Sequence, residues 1–392
     1  MSRTVHAFGL ERNIVAVSAA AFLLALGENL WKRFVPKYLE ALGAPVIAIG
    51  LFGSCQDFLD GVYQYPGGWI GDRYGRRRAL HFFVALAAVG YALYWWAPHW
   101  PFVFAGLAFA MAWSSMASPT LFAVVGDALP KERRALGFTV QSILRRIPIA
   151  IAPTFGGLAI AAYGVVGGVH LGLALTVVLA GFTLVAIQRV DIPIVVDAAP
   201  TNVVAVWHAL PGPLRWLLTS DIAIRTCEGL VDIFLVLYAV NIVGISAAAY
   251  GALVGVQATT AIVSYLTVGR FADRVGRKPF VIATFVAFAA FPVAVVLAHD
   301  FVTLIAAFIV GGLREVGEPA RKAMIVDFVR PTLRARSIGL YYLIRSVAIA
   351  PAAFIGGALW KVAPAAPFWV ASIFGLIGVA VFAATVDERY AS

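Results

Sequence analysis

An all-α integral membrane protein of twelve transmembrane helices, folded as two pseudo-symmetric six-helix bundles, is the fold class this sequence predicts. Three observations predict it. Of 392 residues, 61% are hydrophobic and only 13% are charged, whereas soluble domains carry about 45–50% and about 25%. The apolar residues gather into runs long enough to cross a bilayer. The second half of the chain repeats the first at an offset of about 200 residues.

A helix crosses the hydrocarbon core in about 20 apolar residues. Such runs lie at 13–36, 44–66, 79–97, 101–129, 136–162, 166–188, 214–242, 246–268, 279–298, 302–329, 336–361 and 365–386. The first follows basic Arg3 and Arg12, as in a signal peptide. Glu28 and Trp31 replace the small residues of a cleavage site, so it is read as a retained helix. The second carries Asp57 and Asp60, three apart. The fourth holds Ser114, Ser115 and Ser118, the fifth Arg145 and Arg146, and the seventh Arg225, Glu228 and Asp232. The tenth is the most charged, with Arg314, Glu315, Glu318, Arg321 and Lys322, and the eleventh holds Arg345. Continuous runs exclude transmembrane β-strands, whose residues alternate.

The net charge of +10 does not indicate nucleic-acid binding. The basic residues sit in short gaps between apolar runs: Arg73, Arg76, Arg77 and Arg78, then Lys131, Arg133 and Arg134, then Arg270, Arg274, Arg277 and Lys278, then Arg330, Arg334 and Arg336. The excess of Lys and Arg on one side places both termini in the cytoplasm of a multi-pass cell-membrane protein. Cys55 and Cys227 supply no disulfide framework and no metal-ligand spacing.

The longest connection, "RVDIPIVVDAAPTNVVAVWHALPGPL", begins at Arg189. It divides the chain into an N-terminal half at 1–188, a linker at 189–213 and a C-terminal half at 214–392. "GENL" at 27–30 matches "CEGL" at 227–230 and pairs Glu28 with Glu228. Gln56 matches Gln257, Pro119 matches Pro319, Asp127 matches Asp327 and Arg145 matches Arg345. Parallel repeats of six helices are a transporter architecture, with the solute site at mid-membrane where the repeats meet.

"GGWIGDRYGRRRAL" holds Gly68, Asp72, Arg73, Gly75, Arg76 and Arg77. "VGRFADRVGRKPF" holds Gly269, Asp273, Arg274, Gly276 and Arg277. Both resemble the G-x-x-x-D-R-x-G-R-R/K signature of the major facilitator superfamily, each at the end of the second span of its half. The resemblance covers nearly the whole chain and implies that superfamily's fold, a secondary transporter, and a monomer. In this reading Gly68 and Gly269 let helices approach closely. Asp72 and Asp273 stabilise a neighbouring helix dipole. Arg73, Arg76, Arg274 and Arg277 reach Asp127 and Asp327 to hold the inner gate. The alternative role for these arginines is topology alone.

A charge at a helix centre costs about 2.5–3.5 kcal/mol, so each needs a partner or a watery cavity. On one unbroken tenth helix, Arg314, Glu318 and Lys322 form a single stripe, with Arg321 and Lys322 nearer the cytoplasm as gate residues. The candidates for solute or proton handling are Glu28, Asp57, Asp60, Arg145, Glu228, Arg314, Glu318 and Arg345. The alternative is that the tenth-helix charges pair with one another or with Asp57 and Asp60. No G-x-x-x-x-G-K-[ST] loop is present, which argues against ATP as the energy source; a proton gradient is the expected source, and no cofactor is expected. Buried arginines beside carboxylates suit a small organic solute bearing a carboxylate or phosphate.

A second reading is a multidrug or lipophilic-cation antiporter. "APTFGG" at 152–157 partly resembles the G-P-x-x-G-G end of the drug/proton antiporter motif, with Ala152 replacing glycine. "MAWSSMASP" stands where drug exporters keep an arginine. Export and lipid movement remain alternatives. Histidines at 6, 81, 99, 170, 208 and 299 form no H-E-x-x-H pair, which argues against an enzyme.

Overall fold

The computed structural model describes residues 12–121, 131–188, 210–268, 276–328 and 334–387. These residues are helical with short connections and contain no strand. The helices are α1 (Arg12–Trp31), α2 (Val35–Ala41), α3 (Val46–Tyr74), α4 (Arg76–Trp95), α5 (Trp100–Met111), α6 (Lys131–Ile187) and α7 (Gly212–Val231). They continue with α8 (Ala247–Val268), α9 (Lys278–Val296), α10 (Phe301–Leu313), α11 (Glu318–Asp327), α12 (Arg334–Ile349), α13 (Ala352–Val362) and α14 (Ala366–Thr385). Eight described segments are long and apolar enough to cross a membrane. The charged α3 and α7 are not among them, because charge dilutes their apolar runs, and α10 and α11 are too short, at 13 and 10 residues.

The chain divides into two compact units. One comprises Met1–Ala44 and Leu59–Ala198, the other Pro45–Phe58 and Ala199–Ser392. Pro45–Phe58 belongs with the second because it packs there. Ser54 Oγ accepts the Phe354 N–H at 2.9 Å, and a Cβ at Gly53 would lie 2.8 Å from that of Ala353.

Several expected spans are interrupted, and the interruptions repeat. A 3₁₀ turn at Lys32–Phe34 follows α1, and another at Asp232–Phe234 follows α7. The residues before them have nearly the same backbone: Trp31 has φ −124°, ψ −26° and Val231 has φ −123°, ψ −27°. The triplets, KRF and DIF, share their last residue, and Phe34 and Phe234 are both fully buried, so the buried ring and not the charged position is what the two breaks have in common. Gly156 lies so close to α1 that a Cβ would overlap the Leu30 carbonyl oxygen, and Gly356 repeats this against Leu230. Gly75 and Gly276 both have positive φ, 90° and 98°, a conformation that favours glycine. The two G-R steps of the repeated loops therefore share one backbone turn.

The fourth and tenth spans also break at matching places. After α5 a π-helical turn runs from Ala112 to Met116. Between α10 and α11 the chain makes a turn at Arg314–Gly317. The Gly317 N–H donates to Thr284 Oγ1 at 2.5 Å, which ties the turn to α9. Asp300 caps α10, accepting the Thr303 N–H at 2.8 Å, and that bond holds its carboxyl below the usual range. The expected fifth and sixth spans both lie in α6 and are separated by a non-helical kink at Gly164, where φ is 74° and ψ is 172°.

Candidate functional site

In the second unit, Asp221 of α7 is 1% exposed at its side chain, as is Arg321 of α11. Arg321 Nη1 donates to Asp221 Oδ2 at 2.6 Å, and Tyr341 Oη donates to the same oxygen at 2.9 Å. The other edge of Arg321 grips Glu318, Nε to Oε2 at 3.0 Å and Nη2 to Oε1 at 2.7 Å. Arg225 bridges outward, donating to Glu228 at 2.8 Å and to Glu318 at 3.4 Å. Arg314 stacks over Phe288 and Phe291 at 5.0 and 4.6 Å and reaches Glu228 at 3.5 Å. Arg345 reaches Asp221 at 3.4 Å. A partly exposed charge inside a bilayer is best accounted for by a watery cavity, so the half-buried Arg225, Glu228 and Arg345 mark polar space.

This network corrects the single stripe expected on the tenth span. The Arg314–Gly317 turn separates Arg314 from Glu318, and each joins α7 by its own route. Arg321, expected nearer the cytoplasm as a gate residue, is buried and anchored on Asp221 and Glu318, on a helix that starts afresh at Glu318. Lys322 stays exposed and meets Glu318 at 3.5 Å.

In the first unit, Glu28 is buried and accepts a hydrogen bond from Tyr91 Oη at 2.7 Å. Trp31 packs edge-on against Tyr91 and Tyr94 and donates to Thr176 Oγ1 at 3.0 Å. Asp60 accepts from Ser115 Oγ at 2.6 Å, on the π turn. Asp57 is half-buried beside Gly229.

Among the gate candidates, Arg277 forms an ion pair with Asp327. Arg73 lies over Trp69 and Tyr74 at 5.1 and 5.9 Å, and Arg76 is half-buried at the start of α4. Gly68 does not make the expected close approach. A Cβ there would lie 3.6 Å from Pro119 Cβ, an ordinary contact, whereas one at Gly67 would overlap the Met116 carbonyl. The tight face is thus one residue away. Asp127, Gly269, Asp273 and Arg274 lie outside the described residues, as do the side chains of Asp72 and Arg145. Because the Arg277–Asp327 pair is about one-third exposed, Asp327→Asn is expected to cost no more than about 1 kcal/mol. A large fall in melting temperature would show that this pair supports the fold.

Two residues escaped the sequence reading. Asp221 lies four before Arg225 and seven before Glu228, which puts all three on one helical face, so a signal existed. Tyr91 sits in an ordinary aromatic run and offered none.

The sequence model of the Major Facilitator Superfamily matches residues 17–215 and 217–392. The chain belongs to the major facilitator superfamily. No curated protein matches it. Solved major facilitator folds resemble it at low identity. A POT family transporter in complex with 5-aminolevulinic acid has TM-score 0.77 at 13% identity, over 95% of both chains. The nucleoside transporter NupG has TM-score 0.77 at 13% identity, over 95% of this chain and 100% of that one. The human organic anion transporter MFSD10 has TM-score 0.69 at 16% identity, over 95% and 99%. At such identities the likeness shows the fold alone. This superfamily chain is a multi-pass membrane protein of the secondary-transporter class.

Proposed function

We propose that this chain moves a small charged organic solute across the cell membrane by alternating access, driven by protons, with both termini in the cytoplasm. One observation carries the reading: the same repeat position is served differently in the two units. Glu228 meets the guanidinium groups of Arg225 and Arg314, while Glu28 meets the Tyr91 hydroxyl. Guanidinium only donates, so Glu228 is confined to accepting. A tyrosine hydroxyl donates to a carboxylate and accepts from a carboxylic acid, so the Glu28–Tyr91 pair persists through gain and loss of a proton. Glu28 is therefore assigned to the proton and the charged network of the second unit to the solute.

Glu28→Gln is expected to retain solute exchange and to lose accumulation driven by a pH gradient. Proteoliposomes loaded with 5-aminolevulinic acid, a nucleoside or an organic anion, the classes named for the fold neighbours, measure both. Accumulation by the variant equal to the parent's would remove Glu28 from coupling.

A further inference from the structure

The guanidinium groups of the charged network are not equally satisfied. Arg321 spends both edges on Asp221 and Glu318. Arg225 spends both terminal nitrogens on Glu228 and Glu318. Arg314 gives Nε to the Gly311 carbonyl at 2.9 Å and Nη1 to Glu228. Arg345 differs. Its one hydrogen bond runs from Nη1 to Asp221 Oδ2 at 3.4 Å, and that oxygen already serves Arg321 and Tyr341. The Nε atoms of Arg225 and Arg345 are both buried with no hydrogen-bond partner, but Arg225 has both terminal nitrogens engaged and Arg345 only Nη1. The two side chains are each 18% exposed against 1% for Arg321, so both lie toward the open side of the cluster, and of the two it is Arg345 that brings an unengaged Nε–Nη2 edge there. The Tyr342 ring, 4.7 Å from the guanidinium carbon, supports its flat face.

The Nε–Nη2 edge of an arginine presents two parallel N–H donors spaced for a carboxylate or phosphate. Leaving a buried donor unmet is unfavourable, so an acceptor arriving there relieves a standing cost. Charge favours an anion as well: Arg225, Arg314, Arg321, Lys322 and Arg345 outnumber Asp221, Glu228 and Glu318 in this cluster. We propose that the Nε–Nη2 edge of Arg345 binds the carboxylate or phosphate group of the solute, with Tyr342 holding the fork in plane. The inference rests on the transport reading above and narrows its substrate to small organic anions. Lysine at this position would keep the charge beside Asp221 but lose the fork.

Thermal shift of the detergent-purified full chain tests this with acetate, benzoate and inorganic phosphate, and with benzamide as the neutral partner of benzoate. At least one anion is expected to raise the melting temperature while benzamide does not. R345K is expected to fold and to bind that anion about tenfold or more weakly, as the loss of a charge-assisted pair implies. R345Q is expected to lose the shift. Wild-type protein unmoved by all three anions, or R345K binding as tightly as the parent, overturns the proposal. Flux separates this from the broader reading. An anion held through Arg345 that never crosses proteoliposomes would keep the dock and remove transport. Proton-driven anion flux undiminished in R345K would keep transport and remove the dock.

Discussion

Asp221→Ala is expected to be the most damaging single substitution in the second unit, lowering stability by about 3–5 kcal/mol. Asp221 is the shared acceptor of Arg321, Tyr341 and Arg345. Its removal leaves the deeply buried Arg321 without the carboxylate on one edge and leaves the Tyr341 hydroxyl without an acceptor. Melting temperature and monodispersity in detergent measure the effect. The double variant Asp221→Leu/Arg321→Met removes both buried charges and is expected to recover part of the loss, since apolar replacement of a whole buried pair is often neutral or stabilising. A single variant that melts with the parent would mean that water reaches Asp221 and that the pair does not hold the fold.

Gly156→Ala and Gly356→Ala are expected to destabilise their units by about 1–3 kcal/mol or more. In each, the new Cβ would overlap a backbone carbonyl, that of Leu30 or Leu230, and a helix backbone cannot rotate aside as a side chain can. Gly68→Ala reverses the sign. Its Cβ would find ordinary contact with Pro119, and alanine gains about 0.5–1 kcal/mol over glycine inside a helix. Melting curves of the three variants decide between close packing and plain helix propensity. A stabilised Gly156→Ala would show that the two helices are free to separate.

What the sequence revealed follows from what each signal depends on. Span positions and the repeat were legible because hydrophobic length and paired motifs survive without tertiary information. The start of α9 falls within a residue of the run expected at 279–298. The 3₁₀ breaks were not legible. The turn at Arg314–Gly317 carried a local signal, Gly317 followed by Pro319, which the reading of the charges as one stripe passed over. What holds the turn is the Gly317–Thr284 bond from α9, far away in sequence. The burial of Arg321 follows from it, because a helix restarted at Glu318 has a new angular phase and a new buried face. Arg345 was legible as a charge needing a partner. That partner, Asp221, has its clearest signature only when α7 is treated as a single face.

The matching 3₁₀ turns bear on how the two halves of one chain can differ in chemistry. In a dimer of identical subunits, every substitution would appear twice, and Lys32 could not stand where its equivalent is Asp232. The two positions are half-buried alike and their flanking residues follow the same burial pattern. Joining two copies in one polypeptide releases that bond between twins. One copy can then drift toward a hydroxyl beside its glutamate, and the other toward arginines, while the inherited bend in the backbone stays put. The bend is thus common to both halves while the charge it carries is not, Lys32 at one occurrence and Asp232 at the other.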